Sequence, residues 1–193
     1  MTSDHPTAAG KSSYDLIDRE RFWQLISVQP GMTVLDLGSG AGRYSLPLAQ
    51  QVGDKGKVVA VDAWEEGIAQ LKADAVSQGL STLDARVADA RRLPLDDQQV
   101  DLCLMATVLH DFAADGIAVE VLREVKRVLK PRGICAVVEF IKQPGPPGPP
   151  EKVRLSVEDL AVMLQPFGLL RFSAVADLGP DLYFTQFRRL GTG

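Results

Sequence analysis

The sequence lacks an apolar run long enough to cross a bilayer, and its first residues, MTSDHPTAAGKSS, contain no apolar segment typical of a secretion signal. It also lacks a block of lysine and arginine, since 21 basic residues against 25 acidic ones give a formal net charge of −4. These absences predict a cytoplasmic protein without membrane insertion. They also count against a surface that follows nucleic-acid phosphates.

Cysteine is scarce as well. Cys103 and Cys135 each stand inside an apolar run, and neither has a histidine or another cysteine at the spacing of a metal site. We therefore expect two buried, reduced thiols and no bound metal.

The chain is long enough for one complete domain: it has 193 residues, of which 46% are hydrophobic. Because the first dozen residues are polar and small, we expect residues 1–15 to be a mobile N-terminal segment. Residues 16–193 are then expected to form a single domain. No internal repeat is evident.

Short apolar, β-rich runs alternate with amphipathic segments. The apolar runs carry almost no polar residue on either face, which is typical of a parallel sheet buried on both sides. Strands are predicted at 32–37, 57–62, 83–89, 100–107, 134–141, 169–176 and 181–188. Helices are predicted at 16–28, 43–52, 65–79, 116–130 and 156–168. The pattern predicts an α/β fold that is doubly wound and Rossmann-like, with helices on both faces of a mostly parallel sheet.

The end of the chain predicts an antiparallel addition to this sheet. Only Asp177-Leu178-Gly179-Pro180 separates the last two strands, so they should pair as a hairpin. Ser156 is predicted to cap the preceding helix, with Glu158 and Asp159 in its first turn.

The run Val34-Leu35-Asp36-Leu37-Gly38-Ser39-Gly40-Ala41-Gly42 ends the first strand and leads into the following helix. Gly38 lets the chain leave the strand sharply, Gly40 permits close approach of a ligand, and Gly42 lets the helix start near the sheet. Asp36 would repel a pyrophosphate at this turn, whereas it suits a ligand that carries an ammonium group.

Two more acids follow at strand ends. Asp62 lies about 20 residues beyond the glycine turn, where a carboxylate accepts hydrogen bonds from a ribose diol. Asp89 follows the third strand and can accept a hydrogen bond from the amino group of adenine. The three acids should line one crevice at the carboxyl edge of the sheet. As alternatives, Asp62 caps the helix that starts at Glu65, and Asp89 is a solvated loop acid.

In this order the motifs VLDLGSGAG, VVAVD, VADA, VDLCLMATVLH and LREVKRVLKPRG resemble those of class I S-adenosylmethionine-dependent methyltransferases. The resemblance covers roughly residues 20 to 188 and is nearest to the small-molecule branch that includes ubiquinone and menaquinone methyltransferases. It implies S-adenosylmethionine as cofactor and a seven-stranded sheet with an antiparallel C-terminal strand. It also implies in-line transfer of a methyl group to a small-molecule acceptor.

The resemblance implies a role for each cofactor residue. Asp36 helps to hold the methionine amino group, Asp62 binds the ribose hydroxyls, and Ala63 or Trp64 packs on the adenine. The loop under the cofactor is shaped by Gly38, Ser39, Gly40 and Gly42. The adenine edge is met by Asp89 and Ala90, and the methyl-transfer point is flanked by Ala106 and Thr107.

Methyl transfer from a sulfonium depends on positioning and exclusion of water, and it needs a base only when the acceptor loses a proton. His110, just past the fourth strand, is the leading catalytic candidate because it titrates near neutral pH. The alternative is a structural histidine or one that shapes the acceptor pocket. Asp111 and Glu139 are weaker candidates, and Tyr14 is a candidate for closing over the cofactor.

The acceptor pocket of this family is built by the N-terminal segment and the loops after the fourth and fifth strands. Here the last of these loops is QPGPPGPP, residues 143–150, whose stiffness predicts a preformed rim, although a simple connector is equally consistent. Family members that methylate exocyclic amines of bases or glutamine carry an Asn/Asp-Pro-Pro-aromatic run where this chain has Ala106-Thr107-Val108-Leu109. No nucleic-acid partner is therefore expected, while a protein or RNA substrate and a homo-oligomer stay open.

Two other functions compete with this interpretation. A nicotinamide-dependent oxidoreductase shares the glycine turn and the ribose acid, but its fingerprint G-x-G-x-x-G needs a glycine where this chain has Arg43. A non-catalytic S-adenosylmethionine-binding protein keeps the cofactor residues and lacks transfer activity. Measurements of cofactor binding and of methyl transfer separate the three.

Overall fold

The computed structural model describes residue 10 and residues 12–191. The mobile segment predicted for residues 1–15 falls mostly on residues 1–9 and 11, which lie outside the described residues. Within the described part, Ser13–Asp15 form one turn of 3₁₀ helix, and the Ser13 side chain is buried. The domain boundary at residue 15 stays a prediction.

Strands and helices alternate along the described residues as the sequence pattern predicts. The strands are β1 Thr33–Leu37, β2 Lys57–Asp62, β3 Leu83–Val87, β4 Val100–Ala106, β5 Leu129–Phe140, β6 Leu169–Arg171, β7 Ala176–Asp177 and β8 Leu182–Arg189. The helices are α1 Arg19–Leu25, α2 Ser45–Val52, α3 Glu65–Ser77, α4 Leu109–Ala114, α5 Ala118–Val128 and α6 Val157–Leu164.

All eight strands belong to one sheet with the order β3-β2-β1-β4-β5-β8-β6, in which β7 also pairs with β8. The first five strands run parallel, and β8 is antiparallel to β5. This confirms the doubly wound α/β fold with an antiparallel C-terminal strand. The edge position is divided into β6 and β7, which makes eight strands in place of seven. The strand order reverses at β1, where open α/β sheets bind ligands beyond the carboxyl ends.

Both faces of the sheet are buried. Val34 and Leu35 point to opposite faces of β1, and neither is exposed to solvent. Val34 packs with Phe22 of α1 and Leu48 of α2, whereas Leu35 belongs to the core beneath α4, α5 and α6. A strand buried on both sides has no place for alternating polar residues, and this explains the continuous apolar runs. Helix α5 contributes its stripe of Val121, Leu122, Val125 and Val128.

The structure differs from the prediction around β4 and β5. Helix α4, immediately after β4, is missing from the prediction because six residues are too few to show a helical period. The predicted helix 116–130 ends at Val128, and β5 begins directly at Leu129. Leu129 pairs with Val100 before the register shifts, so that Ile134 pairs with the residue two places further along β4. The strand therefore begins five residues earlier than predicted.

The predicted cap of the last helix is confirmed. The Ser156 hydroxyl accepts a hydrogen bond from the Asp159 backbone N–H (3.1 Å), and the Asp159 carboxylate accepts one from the Ser156 N–H (2.8 Å). This reciprocal pair satisfies two N–H groups that have no partner within the helix. The helix ends at Leu164 and continues as a 3₁₀ turn, Gln165–Phe167.

The two cysteines are buried and unpaired with each other, as predicted. They lie opposite one another on β4 and β5, and burial raises the pKa of Cys135 to about 12. In the part of the chain that the structure describes, no group of three or more histidine, cysteine or acidic side chains is arranged to hold a metal ion. Over the same residues, no helix is both long and apolar enough to cross a membrane.

The loop between β1 and α2 packs directly against α3. A Cβ atom on Gly42 would lie 2.1 Å from Cδ1 of Leu71, a fully buried side chain of α3. The surroundings of Gly40 are different, because no heavy atom lies within 4 Å of a Cβ placed there. Both glycines have positive φ, +79° and +53°. Gly42 is therefore required by packing as well as by backbone conformation, and its neighbour is α3 rather than the start of α2.

This difference predicts unequal costs for two similar substitutions. Gly40→Ala should lower the free energy of unfolding by the backbone strain alone, about 1–2 kcal/mol. Gly42→Ala adds overpacking against Leu71, a further loss of about 1–3 kcal/mol. Urea unfolding of both variants measures the difference. Equal losses would show that Leu71 moves aside without cost.

Candidate functional site

A glycine loop, residues 38–44, leaves β1 at the carboxyl edge of the sheet and delays the start of α2 to Ser45. The Gly38 N–H donates to the Val61 carbonyl of β2 (2.8 Å). The Ser39 hydroxyl oxygen is buried, and it has no hydrogen-bond partner among the described residues. With the open space above Gly40, this loop offers a buried polar group beside room for a ligand.

Asp36 is a buried acid of β1, with 1% of its surface exposed. The Ser45 hydroxyl donates to one oxygen of its carboxylate (2.5 Å). Burial raises the pKa of Asp36 to about 7; the Ser45 hydrogen bond opposes this, and the charge of Asp62 adds to it. A cation at this position would stabilise the ionised form. The ammonium partner expected from the sequence stays a prediction.

Asp62 ties the end of β2 to the glycine loop. One carboxylate oxygen accepts a hydrogen bond from the Gly40 N–H (2.7 Å), and the other accepts one from the Trp64 N–H (2.8 Å). The residue that precedes α3 as its N-cap is Trp64, so Asp62 is not the cap of that helix. The structure thus brings Asp62 to Gly40 and places it in electrostatic contact with Asp36.

The neighbours of Asp62 differ in exposure. Trp64 is half-buried, and its ring covers Gly67, where an added Cβ would lie 2.2 Å from Cε3 of the indole. Ala63 is exposed. The ring is therefore held against the first turn of α3, beside the end of β2.

Asp89 is exposed, unlike Asp36, and it is bound by a neighbouring arginine. The Arg91 guanidinium donates to both carboxylate oxygens, with a shortest distance of 2.6 Å. These hydrogen bonds lower the pKa of Asp89. Ala90, the next residue, packs against the core at the edge of β3. Asp89, the third acid, is therefore at the surface after the end of β3 and is paired with Arg91.

The end of β4 carries a strained residue. Thr107 has a φ of +53°, which is rare for a β-branched side chain and costs about 1–3 kcal/mol. Its hydroxyl donates to the Ser13 hydroxyl (3.1 Å), which in turn is bonded to the Tyr44 hydroxyl (3.0 Å). Ala106, half-buried, precedes it. Strain of this kind is concentrated at functional sites.

The sequence offered no signal for this chain of hydroxyls. Ser13 lies in the segment predicted to be mobile, and Tyr44 follows the glycine motif without belonging to it. Tyr14 packs edge-on against Tyr44 (4.8 Å between ring centroids) and accepts a hydrogen bond from the Trp23 indole (3.2 Å). The structure therefore places Tyr14 between the glycine loop and α1.

His110 and Glu139 form a buried pair on the opposite face of the sheet from Asp36. Nδ1 of His110 lies 2.7 Å from a Glu139 carboxylate oxygen, and the His110 backbone N–H donates to the other oxygen (3.2 Å). Glu139 is fully buried, and His110 is 4% exposed. The carboxylate thus caps α4 and orients the imidazole. Nε2 is left toward Asp111, whose nearest carboxylate oxygen is 3.5 Å away.

The ionisation of His110 depends on this pair. Burial alone would lower the pKa of His110, but the hydrogen bond and charge of Glu139 outweigh it, so that the pKa is raised. With Nδ1–H donated to Glu139, the neutral ring keeps a lone pair on Nε2 and can accept a proton there. Glu139, which the sequence suggested only as a weaker catalytic candidate, is therefore the partner that orients the His110 imidazole and raises its pKa.

Comparison with known proteins agrees with this arrangement. A family model described as a methyltransferase domain matches residues 28–163. The ubiquinone/menaquinone biosynthesis C-methyltransferase UbiE of Paraburkholderia phytofirmans is 32% identical over 149 residues, which are 72% of this chain and 58% of that protein. UbiE of Shewanella oneidensis is 33% identical over 146 residues, 72% of this chain and 55% of that protein. The chain spans little more than half the length of these curated relatives.

Solved structures show the same fold. The crystal structure of a SAM-dependent methyltransferase from Aquifex aeolicus superimposes with a TM-score of 0.83 at 29% identity, covering 92% of this chain and 93% of that chain. The [4+2]-cyclase SpnF superimposes with a TM-score of 0.75 at 19% identity, covering 98% and 86%, and this likeness concerns the fold alone. The family match includes the glycine loop, Asp62 and the His110–Glu139 pair. The chain therefore belongs to the class I S-adenosylmethionine-dependent methyltransferases.

Proposed function

We propose that this protein transfers a methyl group from S-adenosylmethionine to a small-molecule acceptor that loses a proton in the reaction. The observation that carries the proposal is the buried His110–Glu139 pair, in which His110 follows the end of β4 by four residues. The names of the UbiE relatives support an acceptor carbon, because a carbon that gains a methyl group in place of hydrogen must release a proton.

The residues of the glycine loop fit the cofactor. Asp36 is a buried acid with no cationic partner among the described residues, and the amino group of S-adenosylmethionine supplies one. The buried Ser39 hydroxyl needs a partner, and Gly40 leaves room above the loop. Asp62 accepts one N–H on each oxygen and keeps further acceptor capacity for the ribose hydroxyls.

The remaining cofactor residues keep the roles expected from the sequence. We assign Trp64, with Ala63, to the adenine face and Asp89, with Ala90, to the adenine edge. Asp89 reaches that edge together with Arg91, its present partner. Ala106 and the strained Thr107 are assigned to the methyl-transfer point.

S-adenosylmethionine supplies a methyl group on a sulfonium sulfur, which is already activated for displacement. The protein holds the acceptor in line and keeps water out. Nε2 of His110 accepts the proton that the acceptor releases, and Glu139 stabilises the resulting imidazolium through Nδ1–H. Each methyl group gained by the acceptor thus corresponds to one proton taken up at His110.

Calorimetric titration with S-adenosylmethionine, S-adenosylhomocysteine and NAD tests the cofactor. Transfer of an isotope-labelled methyl group into small-molecule, protein and RNA fractions of a cell extract then tests the acceptor class. We expect binding of the first two ligands and label in the small-molecule fraction. Binding of NAD alone favours the oxidoreductase, and binding without label in any fraction favours a non-catalytic protein.

Asp62→Ala should weaken S-adenosylmethionine binding by about 1.5–3 kcal/mol, the cost of lost hydrogen bonds to a charged group. The measurement is calorimetric, on a variant shown to be folded. Asp54→Ala, which removes an exposed acid of the turn between α2 and β2, is the control and should bind as the wild type does. Unchanged affinity in Asp62→Ala would refute the ribose assignment.

Asp36 should release a proton when the cofactor binds near pH 6. Its pKa of about 7 leaves it mostly protonated there, and the cofactor ammonium favours the carboxylate. Affinity should therefore fall as the pH drops below 7, and calorimetry in buffers of different ionisation enthalpy should show the release. Asp36→Asn should show neither effect. A buffer-independent binding enthalpy in the wild type would contradict the assignment.

The same raised pKa has a consequence for stability. The protonated form of Asp36 is favoured in the folded state, so its stabilising contribution is present below pH 3.8 and is lost as the pH rises through about 7. Relative to Asp36→Asn, the wild type should thus become less stable over this range. Urea unfolding at several pH values provides the check, and a constant difference between the two proteins would argue against burial of the charge.

His110→Asn and Glu139→Gln should each slow methyl transfer by about 10²–10⁴-fold, the usual contribution of a general base. Cofactor affinity should stay unchanged, because neither residue belongs to the glycine loop. The labelled-methyl assay gives the rate, and calorimetry gives the affinity. Full activity in a folded His110→Asn protein would assign this histidine a structural role.

A further inference from the structure

Arg154 is a buried cation that binds backbone carbonyls. Only 1% of its surface is exposed. Its guanidinium donates to the carbonyls of Ile141 (3.0 Å), Pro147 (2.7 Å) and Pro149 (2.9 Å), and also to that of Gly145. These hydrogen bonds are partly buried and are made to a charged donor, so each of them helps to fix the backbone around the guanidinium. One side chain thereby determines the path of the proline segment, residues 143–150.

The proline segment lies against Phe140, the last residue of β5. A Cβ placed on Gly148 would lie 2.6 Å from the Phe140 ring, so the backbone of the segment is in direct contact with it. The Arg154 guanidinium carbon is 5.5 Å from the ring centroid. The His110 ring is 6.0 Å from the same centroid in an edge arrangement. Phe140 therefore lies between His110 and the proline segment, which Arg154 holds in place.

The surface of this segment is poor in hydrogen-bonding groups. Between Pro144 and Pro150, five of the seven residues are proline and have no N–H. Three carbonyls in this stretch are directed to Arg154, and that of Pro150 accepts from the Val153 N–H. The rest of the stretch consists of pyrrolidine rings, glycine CH₂ groups, three carbonyls and two glycine N–H groups, so its surface is poor in hydrogen-bond donors.

We propose that Arg154 is a positioning residue that holds the proline segment as a preformed apolar wall beside His110, and that the acceptor places an apolar surface on it. The inference rests on the methyl-transfer function proposed above and names the acceptor class more closely. A wall fixed from within by a buried guanidinium selects by shape. Contact with it removes the apolar surface of an acceptor from water, which is favourable, whereas a polar acceptor loses hydrogen bonds to water that the wall does not replace.

Arg154 also enters the charge balance of the base. The charged groups that act on His110 are Glu139, Asp111 and Arg154; the two acids raise its pKa and Arg154 lowers it. Tyr183 faces Glu139 across the β5–β8 pair and donates its hydroxyl hydrogen to the Leu155 carbonyl. Loss of the guanidinium charge should therefore shift the histidine titration upward.

Hydrogen exchange of Arg154→Lys and Arg154→Gln tests the positioning role. A lysine keeps the charge but cannot span four carbonyls from a single nitrogen. The amides of Gln143 and Val153 should exchange roughly tenfold faster in both variants, while S-adenosylmethionine affinity stays the same. Lys152→Ala, an exposed neighbour, should exchange as the wild type does. Wild-type exchange in both arginine variants would overturn the proposal.

Two readouts separate positioning from general loss of structure. The chain has two histidines, His5 and His110, so the histidine signals of an NMR titration are few. In Arg154→Gln the pKa of His110 should rise, and an unchanged or lower value would contradict the coupling. Gly148→Val displaces the segment without altering Arg154 and should also speed exchange at Gln143. If it does not, the contact with Phe140 does not hold the wall.

The acceptor class is tested in the labelled-methyl assay with a small-molecule extract. The labelled product should partition into octanol, and Arg154→Lys should lower the rate at limiting extract by roughly tenfold, with recovery as the extract is concentrated. A product that stays wholly in water would overturn the apolar acceptor. Failure of the wild type to bind S-adenosylmethionine would instead refute the proposed function, so the two failures are distinguishable.

Discussion

The site depends on two carboxylates that the sheet buries, Asp36 on one face and Glu139 on the other. A buried charge is costly unless it is paired and hydrogen-bonded. Glu139 finds its partners within the chain, in the backbone and ring of His110. Asp36 has the Ser45 hydroxyl, which supplies a hydrogen bond and no charge. One carboxylate is therefore satisfied within the protein, and the other is the one that we propose to pair with the ammonium group of the cofactor.

The parts of the site that could be predicted from the sequence are those set by strand ends. An acid that follows an apolar run, such as Asp62, must lie at the carboxyl edge once the run is a parallel strand. The glycines of the loop carry a similar constraint, because their spacing fixes how the chain leaves β1. Short-range rules of this kind predicted the sheet and the cap at Ser156.

The remaining parts depend on contacts between residues distant in sequence, for which the sequence has no local signal. Ser13 meets Thr107 across 94 positions, and Glu139 meets His110 across 29. Arg154 is charged, and a charged side chain is usually found at the surface. Only the path of the proline segment, whose carbonyls it binds, shows why it is buried. Helix α4 is too short to show a helical period in the sequence. In each case tertiary pairing decides the role of the residue.

The division of the edge position into β6 and β7 affects how the molecule meets its neighbours in solution. An uninterrupted edge strand presents a row of unpaired backbone groups on which a strand of another chain can add. Here the edge consists of pieces of three and two residues, separated by residues 172–175. The Arg188 guanidinium stacks on Phe172 within that interruption, 4.0 Å from the ring centroid. This edge is too short and too uneven to template intermolecular β-sheet, which protects the folded protein from aggregation on that side.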